Sequence, residues 1–152
     1  MPLIFRPMTP DDFPACAEEL IAAFSQPPWN EVWTYAQAFD RIDEIMSARV
    51  SRGYVCMDGD RCVSMLCGRI MTYQEQKLFY IDEFSVHPDY QRQGIGSRML
   101  AFLRAELQKE PQPISHMSLI TERSFPSVTF YEKNGFVELQ NELTMAGYVN
   151  WP

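Results

Sequence analysis

The sequence predicts a single α/β (α+β) domain, in which a mixed sheet of about six to seven strands is flanked by about four helices. Segments with helical spacing of apolar residues alternate with short apolar segments that are typical of strands. One helical segment separates two strands in the second half, which predicts that these two strands are parallel. A length of 152 residues and a hydrophobic content of 46% suit one core, so we expect residues 1–152 to form one domain.

The chain is predicted to begin with a short strand, Leu3–Arg6, followed by two helices. A capping box formed by Thr9 and Asp12 should begin the first helix, which runs to about Phe24 before a pair of prolines. A second run of apolar residues with helical spacing predicts another helix from Glu31 to Gly53 or a little before it.

A β-hairpin and a third long strand are predicted next. The apolar segments 54–57 and 61–67 flank Asp58-Gly59-Asp60, a sequence that favours a tight turn. The third strand should extend from about Lys77 to Val86.

The second half is predicted to continue with a helix that begins at a glycine loop near Gly94. A strand at 114–120 follows, and it should lie parallel to the preceding strand because a helix connects the two. A shorter helix is expected at 124–134. Residues 136–148 should supply the final strand or strands.

Composition limits the classes of function. A net charge of −7 argues against nucleic-acid binding and favours a cationic small-molecule partner, although solubility explains the charge equally well. The four cysteines lack the spacing of zinc or redox motifs, so we expect no metal site and reduced, packed thiols. No apolar run is long enough to cross a bilayer and the first residues do not resemble a signal peptide, which predicts a cytoplasmic protein without membrane contacts.

The glycine loop after the third long strand has the properties of an anion-binding site. Glycines at positions 94 and 96 allow close approach of a ligand to the backbone, and the amides of residues 93–97 would be unpaired at the start of a helix. The helix dipole favours a diphosphate there, and Arg92 could add a charged contact. The sequence fits neither a Walker loop nor a dinucleotide fingerprint, and a Gly-x-Gly pair alone is also compatible with a turn that binds nothing.

Two segments resemble the signatures of the GNAT superfamily of N-acetyltransferases. Val86–Gly96 is similar to the pyrophosphate-binding signature, with Gln91-Arg92-Gln93-Gly94-Ile95-Gly96 in place of the family's Arg/Gln-x-x-Gly-x-Gly/Ala core. Phe130–Phe136 resembles the second signature, at the expected distance downstream. The order of predicted elements also agrees, so the resemblance covers nearly the whole chain.

This resemblance implies a sheet splayed at its middle, with acetyl-coenzyme A held in the gap as the cosubstrate. In such proteins the strand before the loop offers backbone groups to the pantetheine arm, often beside a β-bulge, and the loop holds the diphosphate. Ser124 stands where the family often has Asn, so no pantetheine contact is assigned to it. The implied cofactor-binding residues are Phe84, Ser85, Val86, Gln91, Arg92, Gln93, Gly94, Ile95, Gly96 and Ser97.

Two adjacent carboxylates, Asp82 and Glu83, interrupt the apolar strand before the loop. Burial without a partner would cost several kcal/mol, so each residue either serves the reaction, faces solvent or pairs with an arginine. Strand alternation would send the two side chains to opposite faces. An alkyl amine with a pKa of about 10.4 must lose a proton before it attacks a thioester. Members of the family place the base at positions that match Asp82, Glu83 or Tyr80, and we expect Glu83 or Asp82 to act through water.

Three further residues are assigned roles from the resemblance. Tyr131 matches the family's proton donor to the departing sulfur, and hydrogen-bond stabilisation of the thiolate is its expected role, whereas Phe130 suits packing. Trp29 and Glu31 lie in the segment where the family commonly forms its acceptor-binding wall. Trp29 could stack on an amine cation, and Trp33 is expected to pack in the core.

The implied function is transfer of an acetyl group from acetyl-coenzyme A to a primary amine of a small cationic acceptor, by direct attack in a ternary complex. The alternatives are a noncatalytic acyl-coenzyme A sensor and a protein-modifying acetyltransferase. Polyamines, aminoglycosides, amino acids and protein amines all stay open as acceptors, because a fold does not specify a substrate. A homodimer is also left open, since dimers are common in the family but no feature of the sequence establishes one.

Overall fold

The computed structural model describes residues 2–150, so Met1, Trp151 and Pro152 of the expected single domain lie outside the described residues. The chain divides after Ile120 into two compact units. Within the described residues, the first unit contains five strands and three α-helices, and the second contains one helix. This mixed α/β architecture confirms the predicted fold class, with five strands instead of six or seven.

The five strands are β1 (Ile4–Pro7), β2 (Ser51–Asp58), β3 (Arg61–Tyr73), β4 (Gln76–Val86) and β5 (Ile114–Ser118). They belong to one sheet with the order β1-β2-β3-β4-β5. Neighbouring strands pair antiparallel except β4 and β5, which are parallel, as the helix between them predicted. The predicted hairpin between β2 and β3 is confirmed, and Gly59 in its turn has a φ of 59°.

Residues 2–150 contain four α-helices, three in the first unit and one in the second. A 3-10 turn precedes the first helix, and there the backbone amide of Thr9 donates to Asp12 Oδ2 at 2.8 Å, which confirms the predicted cap. Asp12 is only 6% exposed, but two nitrogens of Arg6 each lie 2.8 Å from its oxygens, so the buried charge is paired. The helices are α1 (Phe13–Phe24), α2 (Tyr35–Ile45), α3 (Ile95–Leu107) and α4 (Ser127–Lys133).

The two faces of the sheet carry different helices. On the first face α1 and α2 pack against β2 and β3. On the opposite face the ring of Phe102 in α3 contacts Phe5 and Tyr54, with centroid distances of 5.9 Å in both pairs. The core residues of the first face are Met8, Phe13, Cys16, Ala17, Leu20, Ala38, Ile42, Val55, Met57, Cys62, Met65 and Cys67.

The second helix begins later than the apolar spacing predicted. Thr34 caps it, because the amide of Gln37 donates to Thr34 Oγ1 at 3.1 Å and Gln37 Oε1 accepts from the amide of Thr34 at 3.0 Å. Val32 lies outside the helix and is 94% exposed. The capping box at Thr34, a local sequence signal, therefore outweighs the apolar residue that precedes it.

The structure contains no strand in residues 136–148, where the sequence predicted the last one or two strands. Val137, Leu143 and Met145 are 79%, 82% and 83% exposed. A strand is stable only when a neighbouring strand satisfies its backbone groups, and apolar composition alone does not supply that neighbour. The last helix also starts at Ser127 and not at 124, with Pro126 as its N-cap. None of the described helices is long and apolar enough to cross a membrane.

Candidate active site

A β-bulge in β4 lies at the two candidate carboxylates. Cys67 of β3 pairs with Glu83, and the next β3 residue, Gly68, pairs with Ile81. Asp82 therefore has no partner in the ladder. The β3 residue at this step is Gly68, and a Cβ placed on it would lie 2.0 Å from the backbone oxygen of Tyr80. Only glycine permits this approach, so Gly68 is required for the bulge.

Both candidate carboxylates pair with an arginine. Arg41 Nε of α2 donates to Glu83 Oε1 at 3.1 Å, and Arg69 Nη2 of β3 lies 3.7 Å from Asp82 Oδ1. The exposed fractions of the two acidic side chains are 14% and 15%. Arg69 is two positions from Cys67, the β3 residue opposite Glu83, so both ion pairs lie on the face that carries α1 and α2. The bulge thus brings together two carboxylates that strict alternation would place on opposite faces.

The electrostatics of Glu83 suit a proton acceptor. Burial raises the pKa of Glu83 above its ordinary value, and Arg41 acts in the opposite direction. The negative charges of Glu31 and Asp82 raise the pKa of Glu83 further. A carboxylate with a raised pKa is a stronger base than an exposed one, which is the property required of a general base for an amine.

The segment between α1 and α2 contributes an acidic group and two indoles to the same face. Trp33 Nε1 donates to Glu31 Oε1 at 2.8 Å, and Trp33 packs against the core, as predicted. The ring of Trp29 meets Phe24 edge-on at a centroid distance of 5.3 Å. Because the charge of Glu31 raises the pKa of Glu83, this residue of the predicted acceptor wall lies near the predicted base.

The glycine loop has the backbone of an anion-binding helix start. Gly94 is the N-cap of α3 and adopts a left-handed φ of 79°. The first amide of α3 that donates to a carbonyl one turn earlier is that of Arg98, which donates to the carbonyl of Gly94 at 3.0 Å. The amides of Ile95, Gly96 and Ser97 therefore have no acceptor within the helix. A Cβ at position 94 would meet no atom within 4 Å, which leaves open space beside these amides.

The polar residues before Gly94 hold the loop in place. Gln91 Nε2 donates to the carbonyl of Val86 at 3.0 Å, and Gln93 Nε2 donates to that of Asp89 at 3.3 Å. Arg92 is exposed and has a φ of 62°, an unusual conformation for a residue with a side chain. The structure therefore places the predicted loop residues 91–97 at one helix start, where three backbone amides have no acceptor within the helix and the side chain of Arg92 is exposed.

The end of β4 supplies backbone groups next to this loop. Side chains of Phe84 and Val86 alternate with that of Ser85, whose Oγ donates to Glu19 Oε2 of α1 at 2.6 Å. The carbonyl of Ser85 accepts from Ser64 Oγ at 2.8 Å, and that of Val86 accepts from Gln91. The carbonyl of Val86 can accept from a further donor, whereas that of Ser85 also lies in a hydrogen-bonded pair with Met65 of β3.

Tyr131 lies in the second unit, on α4. Its ring packs edge-on against both Phe130 and Phe136, with centroid distances of 5.3 Å. Gly135, with a φ of 88°, ends the helix, and the amide of Phe136 then donates to the carbonyl of Tyr131 at 3.0 Å. The sequence predicted Phe130 as the packing residue, and the structure shows that the ring of Tyr131 packs as well.

Four residues of the site were not predicted from the sequence: Glu19, Arg41, Gly68 and Arg69. A glycine inside a strand pattern is a known sign of a bulge, so position 68 carried a readable signal. Glu19 lies three residues after Cys16 on the buried side of α1, where a charged residue is unusual. No sequence pattern indicated Arg41 or Arg69, because tertiary packing decides which carboxylates they contact.

Residues 49–138 match the family model of the acetyltransferase (GNAT) domain. No curated protein sequence matches the chain significantly. Many solved structures share its fold, and three of them are under 20% identical to this chain, so their likeness shows the fold alone. A GNAT family acetyltransferase from Staphylococcus aureus is 15% identical, with a TM-score of 0.69, and all of both chains is covered.

The other two have small-molecule substrates in their names. An aminoglycoside acetyltransferase from an uncultured soil sample, in complex with sisomicin, is 15% identical with a TM-score of 0.72, covering 99% of this chain and 97% of that one. Glucosamine-6-phosphate N-acetyltransferase from Arabidopsis thaliana is 16% identical with a TM-score of 0.71, covering 99% and 100%. The family match spans more than half of the chain and includes the bulge, the glycine loop and Tyr131, so the chain belongs to the GNAT acetyltransferase family.

Proposed function

We propose that the protein transfers an acetyl group from acetyl-coenzyme A to a primary amine of a small cationic acceptor, by direct attack in a ternary complex. The observation that carries this proposal is the bulge that places Glu83 and Asp82 on one face. The family match supports the reaction class, and it runs from residue 49 to 138 across the boundary after Ile120, which supports one functional domain.

Glu83 is the proposed base and acts through an ordered water. Its pKa is raised by burial, and its side chain stays accessible enough, at 14%, for a water to reach it. Asp82 is held by the more distant Arg69 contact of 3.7 Å and adds negative charge beside the base. This arrangement attracts an ammonium group first and removes its proton second, which is the order that amine acetylation requires.

The chain has a fitting place for the cosubstrate. Acetyl-coenzyme A would supply an acetyl group activated as a thioester. Its diphosphate would be held by the amides of residues 93–97, with Gln91 and Arg92 beside them, at the start of α3. The backbone groups of residues 84–86 would hold the pantetheine arm.

The acceptor is proposed to enter from the face that carries Trp29 and Glu31. Glu31 is exposed and acts on Glu83, so a cation that approaches meets two carboxylates in sequence. Trp29 offers an aromatic face that can hold an ammonium group by a cation–π interaction. Two solved structures with this fold are named as acetyltransferases of an aminoglycoside and of glucosamine-6-phosphate, and this supports a small amine as the acceptor class.

Tyr131 is proposed to stabilise the departing thiolate by donating a hydrogen bond from its hydroxyl. An ordinary tyrosine pKa of about 10 exceeds a thiol pKa of about 8.5, so full proton transfer to the thiolate would be unfavourable. A hydrogen bond stabilises the thiolate without that transfer. The ring contacts with Phe130 and Phe136 fix the orientation of the phenol within the second unit.

A thiol-release assay with a panel of amines tests this function. We expect turnover with at least one polyamine, aminoglycoside or amino sugar, and loss of turnover in Glu83→Gln. Tight binding of acetyl-coenzyme A without turnover on any amine or peptide would instead indicate a sensor. Turnover on peptide amines alone would indicate a protein-modifying enzyme, and failure to bind acetyl-coenzyme A by calorimetry would refute all three.

A further inference from the structure

Two arginines contact the carboxylates at the bulge, and both arginines reach solvent. The side chains of Arg41 on α2 and Arg69 on β3 are 43% and 50% exposed, whereas their partners Glu83 and Asp82 are largely buried. Each ion pair therefore has a sheltered negative end and a positive end that is open to solvent. A molecule that approaches the carboxylates from this face meets guanidinium groups as well.

Most donors on these two guanidinium groups are unused. Arg41 donates through Nε to Glu83 Oε1 at 3.1 Å, and its two terminal nitrogens have no hydrogen-bond partner among residues 2–150. Arg69 Nη2 lies 3.7 Å from Asp82 Oδ1, which is too long for a hydrogen bond, and Arg69 makes none elsewhere in the described part of the chain. The planar fork of N–H groups on an arginine matches a carboxylate or a phosphate, which can accept two parallel hydrogen bonds.

Tyr80 places both arginines in one neighbourhood. It lies opposite Arg69 in the β3–β4 ladder, and the guanidinium carbon of Arg69 lies over its ring, 5.5 Å from the ring centroid. This cation–π contact engages the face of the guanidinium, so its N–H groups still point outward in the guanidinium plane. Burial raises the pKa of Tyr80 and the charge of Asp82 raises it further, whereas the charges of Arg69 and Arg41 both lower it.

The charges around the bulge are nearly balanced when the carboxylates are ionised. Asp82 and Glu83 face two guanidinium groups, and Glu31 adds one more negative charge near Glu83. An acceptor with several ammonium groups and no anionic group complements only the carboxylates. An acceptor with one ammonium group and one oxyanion complements both signs of charge, which is the arrangement that gives specificity.

We propose that the acceptor carries a carboxylate or a phosphate in addition to its primary amine, and that Arg69 binds this oxyanion with Arg41 as a second donor. This inference rests on the proposed function and narrows its acceptor class. The ammonium group lies at Glu83 and Asp82, as proposed above, and Arg69 selects among amines by the group that accompanies the nitrogen.

Acetyl transfer to matched pairs of amines tests the inference. One pair is 4-aminobutanoate and 4-aminobutanamide, and the other is 2-aminoethyl phosphate and 2-aminoethanol, so only the first member of each pair carries an oxyanion. We expect kcat/KM, measured by thiol release, to favour the oxyanion member of at least one pair by about tenfold or more. The two pairs distinguish a carboxylate from a phosphate as the preferred group.

Substitutions of Arg69 assign the preference to this residue. Arg69→Gln should abolish the preference by raising KM for the oxyanion member with little change in kcat, because the contact holds the substrate and the transition state equally. An effect on the base through Asp82 would act on both members of a pair and cancel in their ratio. Arg69→Lys keeps the charge without the planar fork and should restore the preference only in part. Arg49→Gln, at an exposed arginine, is the control and should keep the wild-type ratio.

Two results would overturn the inference while the proposed acetyl transfer stands. These are equal kcat/KM for both members of both pairs, and a preference that persists in Arg69→Gln. Calorimetry with coenzyme A in place of acetyl-coenzyme A measures binding of the two oxyanion amines without turnover. Saturable binding that is lost in Arg69→Gln, with no acetylation of any amine, would refute the proposed function and keep the oxyanion site. If neither compound is acetylated and neither binds saturably, the inference is refuted as well.

Discussion

Glu83 Oε1 of β4 lies 3.1 Å from Arg41 Nε of α2, so the proposed base is held against a helix on the acceptor side of the sheet. Arg41 is 43% exposed while Glu83 is 14% exposed. The arginine lowers the pKa of Glu83, although burial raises it more strongly. Arg41 is thus a positioning residue that sets the pH range in which Glu83 is ionised.

Arg41→Gln should move the acidic limb of the activity profile to higher pH. Glu83 accepts a proton only when ionised, so activity rises as the pH increases through its pKa, which already lies above the ordinary value of 4.5. Removal of the arginine charge raises that pKa further. The measurement is kcat/KM against pH with a saturating cosubstrate.

Two comparisons make this result specific. Arg49→Gln, at an exposed arginine between α2 and β2, should leave the limb in place. Glu83→Gln should lower kcat/KM by about 10² to 10⁴ and remove the limb. An acidic limb that stays at the wild-type pH in Arg41→Gln would show that Glu83 is not the titrating group.

Gly68→Ala should destabilise the protein and reduce activity together. The new Cβ would meet the backbone oxygen of Tyr80 at 2.0 Å and the ring of Phe79 at 3.0 Å, so β3 and β4 must separate at the bulge. We expect a loss of about 2 kcal/mol or more in the free energy of unfolding, measured by urea denaturation. Gly147→Ala is the control, because a Cβ there meets nothing within 4 Å and should change stability by less than ~0.5 kcal/mol.

The bulge also marks the limit of what the sequence predicts. Apolar spacing, the caps at Asp12 and Gly135, and the turn at Gly59 specify most elements, because each depends on neighbouring residues. Asp82 and Glu83 lie on the same face of the sheet because of the register between β4 and β3, and no local sequence pattern predicts that register. The ion pairs with Arg41 and Arg69 likewise depend on packing between distant segments.

Two substitutions at Gly94 should separate backbone strain from ligand contact. Gly94→Ala places a side chain in a left-handed conformation, with φ at 79°, and should cost about 1–2 kcal/mol of stability. Gly94→Asn tolerates that conformation and should cost less. Both add atoms to the open space beside the helix amides, so both should weaken binding of acetyl-coenzyme A in calorimetry. Wild-type affinity in Gly94→Asn would rule out close contact between the diphosphate and this position.

Tyr131→Phe should lower kcat with little change in the affinity for acetyl-coenzyme A. The substitution keeps the ring that packs against Phe130 and Phe136 and removes only the hydroxyl. Steady-state kinetics and calorimetry on the same preparation measure the two effects, and Tyr148→Phe, at a tyrosine that is 80% exposed, is the control. An unchanged kcat in Tyr131→Phe would refute the proposed stabilisation of the thiolate.

Glu19 should make the protein less stable as the pH rises from about 4.5 to 8. Burial raises the pKa of Glu19 from 4.5 in an unfolded chain to about 8, so the folded state binds more protons than the unfolded state across this range. Stability is therefore greatest below the lower value and falls with pH until the upper value is passed, by on the order of 4 kcal/mol. Glu83, whose pKa is also raised, adds a change of the same sign.

Glu19→Gln removes this titration, because glutamine is uncharged at every pH. The free energy of unfolding, measured by urea denaturation at several pH values, should fall less steeply with pH in Glu19→Gln than in the wild type. The variant should then gain stability relative to the wild type as the pH approaches 8. Glu44→Gln, at an exposed position, should keep the wild-type slope. Parallel curves for the wild type and Glu19→Gln would mean that water or a counter-ion keeps the buried carboxylate charged.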